Sequence, residues 1–319
     1  MSWSLEQIMQ AVASPAPKGG DASSISLPLF ALDARIGVGV DGQGWCTLVL
    51  PGQKAQVAFE TSVLKFDPWC ETKWIEGDRA LSETAVLRCR FDRDDESLKR
   101  LVASVLISLV DLQQRFGDAG KAIWALRELF GNGFHAAPDK AVLRGLLGEL
   151  LCIRASGDVD LALRAWHVGP DDRYDFSAGS TRVEVKTTTG TVREHQFTSR
   201  QLPPLNGVHV WIASVQLAEV ADGATIASIS AELTEHLPID LARKLSDVII
   251  ETAKLPPAAL SVPMVDLVSS VNSIRIFFGE DIATPQLVPG SSDLRWTAYL
   301  EEDAAKPDLL VSDLLKAAD

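Results

Sequence analysis

The strongest constraint on the fold is a short alternation of apolar and charged side chains, Arg182-Val183-Glu184-Val185-Lys186. Successive side chains of a β-strand point to opposite faces of the sheet, so the two valines share one face and Glu184 and Lys186 share the other. Valine pairs of this kind are typical of a packed sheet face. The pattern therefore predicts a strand that is buried on one side and presents a carboxylate and an ammonium group together on the other.

A second carboxylate precedes this strand. Asp175 lies in a predicted strand over 173–177, and the two strands are separated by Ala178-Gly179-Ser180. A Gly-Ser pair between two extended runs is typical of a hairpin. The hairpin is expected to bring Asp175 beside Glu184.

A predicted helix over 138–155 supplies a third carboxylate, with Pro138 near its start. Leucines recur along it at helical spacing and form a buried stripe, and Glu149 borders that stripe. A carboxylate in this position needs a partner, which a metal ion or Lys186 would supply. Gly145 and Gly148 lack side chains and are expected to let the helix approach the sheet closely.

These residue types fit phosphodiester cleavage. Mg²⁺ prefers carboxylate and water oxygens as ligands. A bound divalent cation polarises a phosphoryl oxygen and helps to generate a nucleophilic hydroxide. A neighbouring lysine can orient or deprotonate the attacking water, or offset charge in the transition state. The sequence thus suggests Asp175, Glu184 and Glu149 as ligands of Mg²⁺ or Mn²⁺, and Lys186 as a catalytic group beside them.

The order of these motifs resembles the PD-(D/E)XK nuclease superfamily, and more narrowly a bacterial family of unknown function assigned to it. The resemblance covers roughly residues 135–220, and Tyr174 stands where the superfamily's name has proline. The motifs that carry it are Gly148-Glu149, Tyr174-Asp175-Phe176, Val183-Glu184-Val185-Lys186-Thr187-Thr188, Arg193-Glu194-His195-Gln196-Phe197 and Gln201-Leu202.

The resemblance implies an α/β fold with a restriction-endonuclease-like core, in which a mixed central sheet is flanked by helices. It further implies a metal-dependent DNA endonuclease of a restriction-type or anti-phage system, with DNA as substrate. A methyltransferase or a helicase-like ATPase is an implied partner, and a homodimer is a further option. His195, Gln201 and Arg182 are the expected supporting residues.

Other interpretations of the same residues stay open. Asp, Glu and Lys are common on solvated strand faces, and Glu149 would equally suit an ordinary salt bridge. His195 would suit a surface position or the start of a helix, and Gln201 a polar position on a helix. A nuclease fold without catalysis, kept as a subunit that binds DNA or partner proteins, is the main alternative function. The presence of Asp175, Glu184 and Lys186 together argues against that alternative. The chain has no glycine-rich phosphate loop or nucleophile elbow that would favour another enzyme class.

The chain is predicted to have three parts: a β-rich unit with helices at 1–134, a nuclease core at 135–220 and an acidic α+β extension at 221–319. Helices are predicted at 1–10, Ser97–Phe116, Lys121–Phe130, around Gln196–Leu202, Asp240–Ala253 and Leu309–Ala318, and a loop over Ser14–Ser26. Strands are predicted at Arg35–Val40, Trp45–Leu50, Val57–Phe66, Ala85–Phe91, Leu161–Val168, Val208–Leu217, Ile274–Phe278 and Leu294–Leu300.

Composition indicates a cytoplasmic globular protein. The N-terminus lacks the basic start and apolar core of a signal peptide, and the longest apolar run is too short for a membrane span. The four cysteines have no paired spacing and are expected to be free, mostly buried thiols.

The net charge of −13 is unusual for a protein that binds DNA. The charge is unevenly distributed: residues 1–139 carry 14 basic and 18 acidic side chains (−4), 140–202 carry 9 and 8 (+1), and 203–319 carry 7 and 17 (−10). The segment with the candidate site is therefore the least acidic. We expect a modest intrinsic affinity for DNA and dependence on a partner or a second subunit.

Overall fold

The computed structural model describes residues 3–17, 24–30, 36–52, 56–74, 79–130, 139–167, 173–202, 207–285, 294–306 and 309–317. The chain forms two compact units. The first comprises Met1–Pro138 and Ile249–Ala259, and the second Asp139–Val248 and Leu260–Asp319. No helix in these described ranges is long and apolar enough to cross a membrane.

The first unit is built on a β-sheet that follows helix α1 (Leu5–Val12). The strands are β1 (Ser24–Phe30), β2 (Gly37–Asp41), β3 (Cys46–Pro51), β4 (Phe59–Glu60), β5 (Leu64–Trp74) and β6 (Arg79–Cys89). Their order is β1-β2-β3-β6-β5-β4, and an additional parallel pairing joins β1 to β5. This pairing closes β1, β2, β3, β6 and β5 into a ring, so hydrogen bonds made on both sides protect those strands from acting as free edges.

Helices α2 (Glu96–Phe116) and α3 (Gly120–Phe130) complete the first unit. The side chain of Asp95 caps α2 by accepting from the backbone N–H groups of Ser97 and Leu98. The helix ends at Gly117, whose φ of 71° lies in the left-handed region that glycine adopts without strain. These two helices confirm the sequence prediction.

The second unit contains a mixed sheet with helices. Its elements are α4 (Lys140–Ala155), α5 (Val159–Ala165), β7 (Phe176–Ala178), β8 (Thr181–Thr188), β9 (Glu194–Thr198), β10 (His209–Gln216), β11 (Glu219–Ala224), α6 (Ile226–Thr234), α7 (Ile239–Ala253, which continues into the first unit), α8 (Leu267–Asn272), β12 (Arg275–Phe278), β13 (Arg295–Tyr299) and α9 (Val311–Lys316). The sheet order is β12-β10-β8-β7, with β8 and β10 parallel and the other pairs antiparallel. A separate antiparallel pair joins β9 to β13.

Glycine at position 148 sets the distance between α4 and β8. A Cβ atom built on Gly148 would lie 2.2 Å from Cγ2 of Thr187, which is inside van der Waals contact. The predicted close approach is therefore confirmed for Gly148. It is wrong for Gly145, where a Cβ atom would meet nothing within 4 Å.

The two glycines of α4 form a matched pair for a stability test. Gly148→Ala is expected to lower the free energy of unfolding by about 1–3 kcal/mol, because the added methyl overpacks the contact with Thr187. Gly145→Ala should instead raise that free energy by up to about 1 kcal/mol, because alanine favours the helix and has room there. Chemical denaturation of both variants measures the difference. Equal effects would show that the contact does not limit the approach of α4.

Several predicted elements differ in the structure. Residues 161–165 of the predicted strand over 161–168 lie in helix α5, whose N-terminus is capped by Asp158. A short apolar run does not distinguish a buried helix from a strand. The predicted helix around 196–202 is wrong, because Glu194–Thr198 is strand β9, with alternate side chains buried. The predicted strand over 57–66 spans β4 and the start of β5, and the predicted loop over 14–26 overlaps β1 from Ser24.

Further differences concern boundaries. The predicted strand over 173–177 begins only at Phe176, so Asp175 precedes β7. Strand β11 and helices α6 and α8 had no counterpart in the prediction. Strand β12, from the predicted extension at 221–319, is part of the central sheet.

The four cysteines are free, and Cys46, Cys89 and Cys152 are buried as expected. Arg35, Pro138, Val168 and Ala318, which bound predicted elements, lie outside the described residues.

Candidate active site

Strand β8 presents Glu184 and Lys186 on the same face. Lys186 Nζ lies 3.0 Å from Glu184 Oε1, and both side chains are largely buried. The amide of Gln201 donates a short hydrogen bond to the same carboxylate oxygen. Glu184 is thus held by two donors, and Gln201 reaches the site from a turn after β9 rather than from the predicted helix.

Asp175 is fixed against the same strand through the backbone. Its Oδ2 atom accepts a hydrogen bond of 2.6 Å from the N–H of Val185. Val185 lies between Glu184 and Lys186 in the chain, so the bond places the Asp175 carboxylate next to that ion pair.

Helix α4 brings the third carboxylate. Glu149 is 9% exposed, and its Oε2 atom accepts a hydrogen bond of 2.7 Å from the indole Nε1 of the fully buried Trp166. The same oxygen lies 3.0 Å from Nε2 of His167. Glu149 follows Gly148 directly, so the contact that lets α4 approach β8 also positions this side chain.

Trp166 and His167 are site residues that sequence reasoning missed. One potential ligand atom from each of Glu149, His167 and Asp175 lies within 4.8 Å of the others. The signal in the sequence was a Trp-His pair a few residues before Asp175. It was obscured because this segment was predicted to be a strand, whereas the turn after α5 carries the two side chains back to Glu149.

The electrostatics of the site are dominated by buried negative charge. Burial raises the pKa of Asp175 well above its ordinary value, and the Glu149 and Glu184 carboxylates raise it further. Burial also raises the pKa of Glu184, although Lys186 opposes that shift. Asp175 and Glu184, whose pKa values are raised, lie near the Glu149 carboxylate and the imidazole at hydrogen-bond distance from it, and these groups form a donor set that fits a divalent cation.

His195 and Arg182 have other contacts. His195 is buried, and its Nε2 atom lies 2.7 Å from the hydroxyl oxygen of Ser214 on the neighbouring strand β10. Arg182 donates to the backbone carbonyl oxygens of Gly179 and Thr181, so its guanidinium group binds the hairpin turn. These contacts give both residues structural partners.

The pKa of His195 provides a direct test of the burial around β9. Burial, followed by the charges of Lys186 and Arg193, lowers this pKa from 6.5 to about 4. Because the folded-state pKa is depressed, neutral His195 contributes stability above pH 6.5 that is lost as the pH falls towards 4. An NMR titration of the imidazole carbons, assigned with His195→Gln, should show a midpoint well below 6.5. A midpoint at or above that value would contradict this environment.

A helix carboxylate, an aspartate before a short strand and a Glu-x-Lys strand, converging beside a mixed sheet, define a protein of the PD-(D/E)XK class. The chain belongs to the family DUF4420, described as "Putative PD-(D/E)XK family member", whose family model matches residues 20–259. The resemblance is confirmed, and the match extends well beyond residues 135–220. Neither a curated protein nor a solved structure shows significant similarity to the chain.

Proposed function

We propose that this protein is a metal-dependent endonuclease that hydrolyses phosphodiester bonds of DNA. The observation that carries the proposal is the ion pair of Glu184 and Lys186 beside the buried Glu149 and the half-buried Asp175. Family membership points to nuclease-like chemistry. The restriction-endonuclease-like arrangement of the core is part of the same proposal, supported by the mixed sheet and by the position of α4 against β8.

Asp175, Glu184 and Glu149 would hold Mg²⁺ or Mn²⁺. When bound, such an ion polarises a phosphoryl oxygen and lowers the pKa of water at the site. It would also offset the mutual repulsion that raises the pKa of Asp175.

The protein's own contribution centres on Lys186. Its ammonium group is held by Glu184 and lies 5.5 Å from the centre of the Phe197 ring, so its position is restricted before substrate arrives. From there it can orient the attacking water and stabilise negative charge that develops on the phosphate. Hydrolysis forms a bond from the water oxygen to phosphorus, breaks the bond to the leaving sugar oxygen, and leaves a proton on that oxygen. Gln201 would keep Glu184 oriented during this step.

The acidic surface bears on how DNA is bound. With a net charge of −13, the chain as a whole repels the phosphate backbone of DNA. We therefore propose that DNA binding is assisted by a second copy of the chain or by a partner such as a methyltransferase or a helicase-like ATPase. The proposed setting is a restriction-type or anti-phage system in the cytoplasm.

The proposal is tested by incubating the purified protein with plasmid, linear and single-stranded DNA in the presence of Mg²⁺ or Mn²⁺. Cleavage should require the ion, stop on addition of a chelator and be lost in Lys186→Ala. Lys140→Ala is the matched control, because Lys140 is exposed in the first turn of α4. Cleavage at the wild-type rate by Lys186→Ala would show that a contaminant cuts the DNA or that Lys186 has no role in cleavage. DNA binding without cleavage under every condition would favour the catalytically silent subunit.

A further inference from the structure

The imidazole of His167 lies beside the proposed site and has no part in the chemistry described so far. His167 is connected to both Glu149 and Asp175. Its Nε2 atom lies 3.0 Å from Oε2 of Glu149, and its backbone N–H donates to the carbonyl oxygen of Asp175 at 3.0 Å. The imidazole is therefore held where the two carboxylates meet, with its side chain 30% exposed.

One separation among these atoms matches that of adjacent ligands around a single ion. In an octahedral site with bonds of about 2.1 Å, adjacent ligand atoms are separated by about 3.0 Å. The 3.0 Å between His167 Nε2 and Glu149 Oε2 matches such an edge. Asp175 contributes a third atom within 4.8 Å of both.

Neighbouring residues restrict both Glu149 and the imidazole. Trp166 is fully buried and donates to the same Glu149 oxygen, and its ring contacts the His167 ring edge-on at 5.3 Å between centroids. A donor that orients a ligating carboxylate in this way typically strengthens metal binding. Glu184, in contrast, already has Lys186 and Gln201 as donors to one of its oxygens. Among the described residues around Glu149 and Asp175, the imidazole is the group that can offer a nitrogen lone pair to a metal ion.

A nitrogen ligand changes which ion the site selects. Mg²⁺ is bound almost entirely by oxygen ligands, whereas imidazole favours ions of the first transition series. An octahedral site that adds one imidazole to carboxylate ligands accommodates Mn²⁺. We propose that His167 is a metal ligand and that it makes the site bind Mn²⁺ more tightly than Mg²⁺. This inference rests on the proposed function for the presence of a metal, and it adds a ligand and a selectivity.

The test measures metal binding without DNA. Mn²⁺ is added to the full-length protein at millimolar concentration, and electron spin-echo spectroscopy detects coupling of the ion to the ¹⁴N of a bound imidazole. The wild type should show this coupling, and His167→Asn should lose it. Asparagine is a suitable replacement because it tolerates the positive φ of 40° at this position. His236→Asn, at an exposed position in the same unit, should retain the coupling.

Calorimetry measures how much more tightly the protein binds Mn²⁺ than Mg²⁺. His167→Asn should weaken Mn²⁺ binding by at least about tenfold while changing Mg²⁺ binding much less. Circular dichroism of the variant checks that it folds. If it does not fold, the nitrogen coupling measured on the wild type still tests the inference. Bound Mn²⁺ without ¹⁴N coupling in the wild type, or no Mn²⁺ binding at millimolar concentration, would overturn the inference.

The two proposals fail differently. If His167 is not a ligand but the protein is a nuclease, DNA cleavage will still require metal and Lys186, and only the nitrogen coupling will be missing. If the nuclease proposal is wrong but the inference holds, Mn²⁺ will bind with nitrogen coupling and no DNA will be cut.

Discussion

Replacing Lys186 by alanine is expected to reduce the rate of DNA cleavage by about 10²–10⁴-fold, which is the usual contribution of a preorganised charge or proton-transfer group. DNA affinity should change little, because one lysine accounts for about one phosphate contact, and the salt dependence of binding should fall by about one unit at most. Single-turnover cleavage and binding titrations over a range of salt concentrations separate the two effects.

The control for this prediction is Lys186→Arg. Arginine keeps the charge but has a different shape and donor geometry, and it stays protonated. If Lys186 acts mainly by transferring a proton, the arginine variant will be as slow as the alanine variant. If it acts mainly by its charge, the arginine variant will keep much of the rate. An alanine variant that cleaves at the wild-type rate would exclude either role.

Asp175→Asn is expected to abolish metal-dependent cleavage and also to raise the thermal stability of the metal-free protein. The loss of cleavage follows from removal of an anionic ligand. The gain in stability follows from the pKa of Asp175, which burial and the Glu149 and Glu184 carboxylates raise well above its ordinary value. A carboxyl group whose pKa is raised by folding destabilises the metal-free fold at every pH above its ordinary pKa, and a neutral amide relieves that cost of burial and repulsion while its oxygen can still accept from Val185.

Thermal unfolding with a chelator and then with Mn²⁺ measures both parts of this prediction. The wild type should be stabilised by the ion, since a ligand that binds only the folded state raises its stability. The variant should start from a higher melting temperature and respond much less. Asp222→Asn, at an exposed position of strand β11, is the control for removing one negative charge from the same unit. A variant that is less stable without metal would contradict the electrostatic picture of the site.

The residues on strand β8 were predictable because their geometry follows from local rules. Alternation along a strand placed Glu184 and Lys186 together, and the helical spacing of leucines placed Glu149 at the edge of a buried stripe. These inferences depend on neighbours in the chain and on the period of a regular element. The structure brings Glu149 close enough to Asp175 and Glu184 for its carboxylate to add to the burial that raises the pKa of both.

Trp166 and His167 could not be found in this way. Their place beside Glu149 depends on a turn after α5, and no periodic pattern in the sequence encodes that turn. The prediction of β9 as a helix had a similar origin, because this strand pairs with β13, which lies far along the chain. Pairing between distant segments stabilises such a strand more than its own residue preferences do.

The division of the chain into units limits how the protein can be dissected. The first unit includes 249–259 in addition to 1–138, so the polypeptide leaves it and returns once before its end. A fragment that starts at residue 139 would therefore carry 249–259 away from the residues it packs with, and a fragment that ends at 138 would lack that segment. Separate production of the site-bearing unit requires removing 249–259 and reconnecting Val248 to Leu260, because no single cut in the chain yields two complete units.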